Sequence, residues 1–175
     1  HFYHIGVRRY TAGTAATRFS PEDIDRYRDE VLSVEKALTA PDSWHKTHIT
    51  GNRQETRQSI AADSQATLFT ATAAGNIVEF GIKITAKDMV KALRQSVLTV
   101  SFDESSIPQV EAPIGDFFGS FPGITPYDSF PMTVRPDGTM ICRFVMPFAQ
   151  SAQVQLFNHS GETIDAATWW VTTPS

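Results

Sequence analysis

Short apolar segments separated by turn signals run from residue 66 to residue 172, and this pattern constrains the fold more than any other feature of the chain. The segments alternate in polarity or are rich in β-branched and aromatic residues, as strands are. Gly75-Asn76 and Pro136-Asp137-Gly138 are typical of turns between strands. About eight strands in roughly 110 residues is the density of a sandwich. The sequence therefore predicts a mainly β fold, a jelly-roll-like β-sandwich over residues 66–175.

The predicted strands of this sandwich cover residues 66–72, 77–84, 96–103, 108–112, 131–135, 139–146, 152–158 and 166–172. A brief helix is predicted over residues 85–94. Proline cannot donate a hydrogen bond to a neighbouring strand, so the proline-bounded segment 108–112 is placed at a sheet edge.

Residues 1–41 are predicted to hold one strand, over residues 1–10, and one amphipathic helix. Ser20 suits the N-cap and Pro21 the first helical position, and Pro41 is predicted to end the helix. Apolar residues recur every three or four positions and predict one buried face. These residues are Ile24, Tyr27, Val31, Val34 and Leu38.

The chain opens on His1 within a predicted strand, and we interpret residues 1–41 as the tail of a preceding domain in a longer protein. This leaves the compartment unknown, with a secreted or periplasmic location favoured. Residues 42–65 are polar and are interpreted as a linker or a functional excursion, because a structureless loop of that length is uncommon inside a domain.

Charge and cysteine content exclude several classes of function. Fifteen Lys and Arg against 19 Asp and Glu give no basic field for nucleic acid. No apolar run approaches the roughly 20 residues of a membrane helix. The single cysteine, Cys142, rules out an internal disulfide, and His45-x-x-His48 has no convincing third ligand. We therefore predict no metal and no cofactor, and partners that are neither nucleic acid nor membrane.

The loop Gly115-Asp116-Phe117-Phe118-Gly119 is the most unusual local sequence. Its glycines permit backbone angles that other residues avoid, which predicts a fixed shape. Asp116 would either present its carboxylate to a sugar hydroxyl or a cation, or hold the corner by binding backbone N–H groups.

Carboxylates are also the groups that hydrolyse glycosides, as a pair. Asp103, Glu104, Glu111 and Asp116 lie close in sequence, which does not fix their separation in space. We consider Asp103, Glu111 and Asp116 ligand-binding candidates and leave the catalytic residues unassigned.

Trp169 and Trp170 occupy successive strand positions, so their indoles face opposite sides of a sheet. One is expected in the core. The other is a candidate platform for a sugar ring or an anchor for an interface.

Several blocks of the chain resemble, in the same order, the family called domain of unknown function 2961. Gly115-Asp116-Phe117-Phe118-Gly119 followed by Met146-Pro147-Phe148 is the most specific combination. The other similar blocks are residues 2–5, 98–103, 108–114, 126–131 and 156–158.

The resemblance implies a jelly-roll sandwich of glycoside hydrolase family 172, which includes α-D-fructofuranosidases and difructose dianhydride-converting enzymes. It also implies a carbohydrate ligand such as a fructose-containing glycan, a homo-oligomer (trimer or hexamer), and retaining catalysis by two glutamates.

Two departures from this family bear on catalysis. The family segment Gly-Thr-Glu-Asp-Tyr-Phe, which carries a catalytic glutamate, has no match, and the usual Trp-Asp-Gly-Glu is replaced by Phe102-Asp103-Glu104-Ser105. We therefore expect a structural or assembly sandwich of a carbohydrate-processing protein. The alternatives are an active glycoside hydrolase whose glutamates lie on an unseen stretch or another subunit, and a carbohydrate-binding module that uses Asp116 with Trp169 or Trp170.

Overall fold

The chain divides into two units, His1–Val34 and Glu35–Ser175, in a computed structural model that describes residues 6–174. The strand predicted over residues 1–10 lies partly outside the described residues. Its described part, residues 6–10, is not a strand, so the prediction is wrong there. A lone strand with no paired neighbour lacks the hydrogen bonds that hold the extended form.

The predicted amphipathic helix is two helices, α1 (Glu22–Arg26) and α2 (Arg28–Thr39), which meet at Tyr27. The sequence predicts Ser20 as the N-cap of this helix, and that prediction is wrong. Pro21 holds the cap position, and the Asp23 carboxylate instead accepts the Ser20 N–H at 2.9 Å. The apolar stripe, expected to be buried, is 43–58 % exposed along its length. Pro41 begins the next helix, α3 (Pro41–His48), rather than only ending this one.

Antiparallel sheets form the second unit, and the mainly β sandwich is confirmed. A six-stranded sheet has the order β1-β12-β4-β9-β8-β7, a four-stranded sheet the order β2-β11-β5-β6, and β10 pairs with β3. The strands are β1 (Asn52–Ile60), β2 (Ser64–Ala71), β3 (Gly75–Ile77), β4 (Glu79–Ala86), β5 (Ser96–Phe102), β6 (Val110–Pro113), β7 (Tyr127–Asp128), β8 (Met132–Val134), β9 (Met140–Cys142), β10 (Met146–Phe148), β11 (Ala152–Asn158) and β12 (Ile164–Thr173). Two short helices, α4 (Met89–Gln95) and α5 (Ile114–Phe117), flank β5 and β6.

The core lies between the sheets and follows the period of two that strands impose. Leu98 and Val100 of β5 and Phe80 and Ile82 of β4 are fully buried. Strand β6 is at a sheet edge, as its prolines predict. The predicted strands over 77–84 and 139–146 are each divided, into β3 and β4 and into β9 and β10.

Residues 42–65 hold most of α3 and all of β1, where the sequence analysis placed a polar linker or excursion. Every β1 side chain except that of Ile60 is exposed, so the strand shows no polarity pattern. Its backbone pairing with β12 fixes its position instead. The proposed boundaries at residues 41 and 65 stay a prediction. No helix within residues 6–174 has both the length and the apolar character needed to cross a membrane.

Candidate functional site

Asp103 joins the end of β5 to the turn that precedes β11. Its Oδ1 accepts the backbone N–H groups of Ala149, Gln150 and Ser151 at 2.9, 2.7 and 3.2 Å. These hydrogen bonds, that of Gln150 foremost, hold the pKa of the Asp103 carboxyl below its usual range. The backbone of Asp103 lies in the left-handed region, at a φ of 55°. One oxygen of this exposed carboxylate is thus used to hold the turn before β11.

Asp116 lies on α5, and its carboxylate forms an ion pair with the Arg94 guanidinium of α4. Gly119 has a φ of +62°, as the loop sequence predicts. Gly115 is needed for a different reason, since a Cβ there would lie 2.9 Å from the Ser120 carbonyl oxygen. Asp116 therefore ties two short helices together at one end of the sandwich.

Glu111 is exposed on the edge strand β6, opposite Thr99 in the middle of β5. Asp103 follows the last residue of β5, whereas the ion pair of Asp116 lies beside its first residue. Seven residues of strand separate those ends by roughly 20 Å, and Glu111 is roughly 13 Å along the strand from Asp103. Glycosidase carboxyl pairs lie about 5–9.5 Å apart. Asp103 is therefore too distant to pair with either of the other two.

The two tryptophans face opposite sides of the six-stranded sheet, as predicted. Trp169 lies in the core and donates its Nε1–H across the sandwich to the Leu68 carbonyl oxygen of β2, at 2.8 Å. Trp170 faces outward and donates its Nε1–H to Glu79 Oε1 at 2.6 Å.

Neither indole offers a free face to a sugar ring. Trp170 is only 6 % exposed and Trp169 only 3 %. The Arg53 guanidinium lies 4.2 Å from the centroid of the Trp170 ring, and a Cβ at Gly81 would lie 2.0 Å from that ring. A cation and a glycine backbone cover the outward indole, and a binding role for either tryptophan stays a prediction.

A charged cluster beneath α3 is the feature that sequence reasoning missed. The Asp42 carboxylate binds the guanidinium groups of both Arg135 and Arg143. Arg143 is almost fully buried and also donates to Thr133 Oγ1 at 2.9 Å. Burial raises the pKa of Asp42, but the hydrogen bonds and charges of the two arginines outweigh burial and hold that pKa below its usual range.

His45 of α3 adds a second set of contacts to the same sheet face. Its Nδ1 lies 3.3 Å from Glu79 Oε2, and its Nε2 lies 3.3 Å from the Val78 carbonyl oxygen. His48 points elsewhere, with its ring stacked on Trp44 at 4.4 Å. Within residues 6–174 no three metal-ligating side chains converge. Pro41 and Asp42 are the sequence signals near this cluster, and they are typical of the start of a helix rather than of an ion pair.

Comparison with known proteins gives a family match and several distant structural likenesses, of which two are described here. A family model described as GH172 domain-like matches residues 50–171. No curated protein matches the chain. The solved structure of Aeromonas hydrophila PliG, a periplasmic inhibitor of g-type lysozyme, is similar at 12 % identity and a TM-score of 0.35, over 70 % of this chain and 87 % of that one. The acidic stable capsid structure of Helicobacter pylori bacteriophage KHP30 is similar at 5 % identity and a TM-score of 0.43, over 72 % and 90 %.

Proposed function

The chain belongs to the GH172 domain-like family, a carbohydrate-related family of glycoside hydrolase type, and on that premise we propose that it is a structural and assembly sandwich of a carbohydrate-processing protein. The observation that carries the proposal is the distance of Asp103 from the other two candidate carboxylates. Asp103 follows the last residue of β5, whereas Asp116 lies on α5 and pairs with Arg94, which precedes the first residue of β5.

The protonation of Asp103 argues against the role of general acid. A glycosidase acid needs a raised pKa so that it carries a proton near neutral pH. Three backbone N–H groups lower the pKa of Asp103 instead. Asp103 thus lies far from Glu111 and Asp116 and lacks the protonation state of a general acid.

We expect the purified chain to release no fructose from an α-D-fructofuranoside or from a difructose dianhydride, and Glu111→Gln to leave this result unchanged. The reason is that retaining hydrolysis needs a second carboxyl within about 5.5 Å. Chromatographic detection of released fructose measures the outcome.

A related fructosidase serves as the positive control for this assay. Turnover by the chain that Glu111→Gln abolishes would contradict the proposal. Turnover only in a longer polypeptide or a mixed oligomer would favour the alternative of a hydrolase completed from elsewhere.

The assembly role is supported by the apolar stripe of α1 and the first part of α2. Ile24, Tyr27, Val31 and Val34 are each at least 43 % exposed. An exposed contiguous apolar surface of this kind marks an interaction site. We propose that a second copy of the chain covers it, within a trimer or hexamer.

Val31→Lys is expected to shift the oligomer to monomer, with association weakened at least tenfold, because a charge would be buried in an apolar interface. Sedimentation velocity over a concentration series measures the shift. Asp29→Lys is the matched control, since Asp29 lies on the opposite side of the helix and its change should leave assembly intact. A wild-type chain that stays monomeric throughout would contradict the assembly role.

A further inference from the structure

Strand β1 forms a free edge of the six-stranded sheet. It pairs with β12 on one side, and on its other side it has no strand neighbour among residues 6–174. Of the helices and strands described, only β12 and β2 make more than slight contact with β1. Along almost its whole length the side chains on both faces of the strand are exposed. The edge is therefore open to a further strand.

The other edges of the two large sheets are protected against pairing, and β1 is not. Natural edge strands are commonly short, carry proline or lysine, or contain a bulge. Strand β7 has two residues, β6 ends on Pro113, and β2 has a register irregularity opposite Val154 and Gln155. Strand β1 has nine residues without proline or lysine, and its register with β12 is regular from Asn52 to Gln58. A long, regular edge of this kind is a template for another chain.

The backbone groups that point to the free edge belong to alternate residues of β1. The Thr172 carbonyl oxygen accepts the Val78 N–H at 2.9 Å, on the side of β12 away from β1. The next carbonyl oxygen, of Thr173, points at β1, where a Cβ at Gly51 would collide with it. Asn52 lies opposite Thr173, so it and every second residue after it are bonded to β12. The N–H and C=O groups that point to the free edge are those of Arg53, Glu55 and Arg57.

The charges of these residues favour one pairing between two copies of β1. In an antiparallel pair about a two-fold axis, residues that point outward in one copy lie opposite such residues of the other. Full-length pairing centres on Thr56 and places Glu55 of each copy opposite Arg57 of the other. Moving the centre to Glu55 or to Arg57 places like charges opposite each other, which is unfavourable. Centring on Gln54 also matches charges but pairs only residues 52–56.

We propose that β1 pairs with β1 of a second copy, antiparallel about a two-fold axis at Thr56, so that one sheet continues across both copies. The two central pairs supply about four backbone hydrogen bonds and bring Glu55 and Arg57 together across the interface. Among the described residues Arg57 has no ion-pair partner, and Glu55 pairs only with Arg53, at 2.6 Å. Little apolar surface is buried, so we expect weak association, with a dissociation constant of the order of 0.1 mM.

This surface is separate from the apolar stripe of α1 and α2, and the pairing does not depend on the role proposed above. Sedimentation velocity from about 10 µM to about 1 mM tests it in the whole chain carrying Val31→Lys, which removes association through the stripe. We expect a monomer at the lowest concentration and a dimer at the highest. Glu55→Arg and Arg57→Glu each place like charges opposite each other and should weaken the dimer at least tenfold.

Mixing these two variants is the sharpest test of the register. The Glu55→Arg chain is positive at both positions and the Arg57→Glu chain is negative at both. An equimolar mixture should therefore form a heterodimer about as strong as the parent dimer. Lys87→Glu is the matched control, because it makes the same change of charge at an exposed residue between β4 and α4, away from the edge.

Amide exchange followed by NMR gives a second measurement. The N–H groups of Glu55 and Arg57 should exchange fast in the monomer and slowly in the dimer. Those of Gln54 and Thr56 are bonded to β12 and should exchange slowly in both. Arg57→Pro removes an outward N–H without breaking a bond to β12, so it should abolish the dimer while the chain stays folded.

Several outcomes would overturn the pairing. These are a chain that stays monomeric at about 1 mM, single variants that associate like the parent, a mixture that does not recover, and a dimer that survives Arg57→Pro. A peptide of residues 52–60 should bind the edge more tightly than the same peptide with Glu55 and Arg57 exchanged. Equal binding of the two peptides would assign the edge to strands in general and overturn the pairing between copies.

The same measurements separate this pairing from the stripe. Association of the wild-type chain that Val31→Lys removes and the β1 variants leave unchanged would support the stripe alone. Association that only the β1 variants weaken would support the strand pairing alone and contradict the role of the stripe.

Discussion

Replacing Asp42 by alanine is expected to lower the free energy of unfolding by about 2–4 kcal/mol. The substitution leaves the Arg143 guanidinium, whose side chain is 1 % exposed, without its carboxylate partner. An orphaned buried charge costs about 3–5 kcal/mol, and we place the effect lower because Asp42 is itself 34 % exposed and partly screened by water. Urea unfolding followed by tryptophan fluorescence measures the difference.

Two further variants isolate the cause. Arg135→Ala should cost no more than about 1 kcal/mol, because the Arg135 side chain is 40 % exposed and can be hydrated. Asp42→Ala combined with Arg143→Met should recover much of the loss, since a hydrophobic side chain replaces the unpaired charge. If Asp42→Ala cost no more than Arg135→Ala, the buried pair would not be the anchor of α3.

The ion pair between Asp42 and Arg143 also makes the free energy of unfolding depend on pH, with a loss of stability at low pH. The folded protein holds the pKa of Asp42 below its usual range. The ionised Asp42 carboxylate therefore contributes fully to the free energy of unfolding at any pH above its unfolded pKa of about 3.9. The contribution is lost as the pH falls through the lowered folded pKa. The stability difference between wild type and Asp42→Ala should therefore be constant from pH 5 to 7 and shrink below about pH 4.

Sequence periodicity predicts the strands whose side chains meet the core and fails for those that do not. Along β5 and β11, buried and less buried residues alternate, and both strands are predicted almost to the residue. In β1 eight of nine side chains are exposed. Its pairing with β12 uses backbone groups that every residue carries, so no residue type marks the strand.

The side-chain partners of the candidate site are set by tertiary contacts that local patterns cannot show. The ion pair between Asp42 and Arg143 joins residues 101 positions apart. The cover over Trp170 depends on Gly81, whose missing side chain leaves room for the indole. A sequence shows that two successive tryptophans face opposite ways, but not what lies against the outward one.

Trp169→Ala should destabilise the sandwich by about 3–5 kcal/mol, the cost typical of a large aromatic removed from a core. Its Nε1–H reaches the Leu68 carbonyl oxygen of the other sheet, so the change also leaves a buried acceptor without its donor. Thermal and denaturant unfolding measure the loss.

Trp169→Phe separates the contribution of the ring from that of the hydrogen bond. It keeps an aromatic ring and should cost about 1–3 kcal/mol, the penalty of a single unmet buried acceptor. An equal loss in Trp169→Phe and Trp169→Ala would assign the whole effect to the hydrogen bond that joins the two sheets.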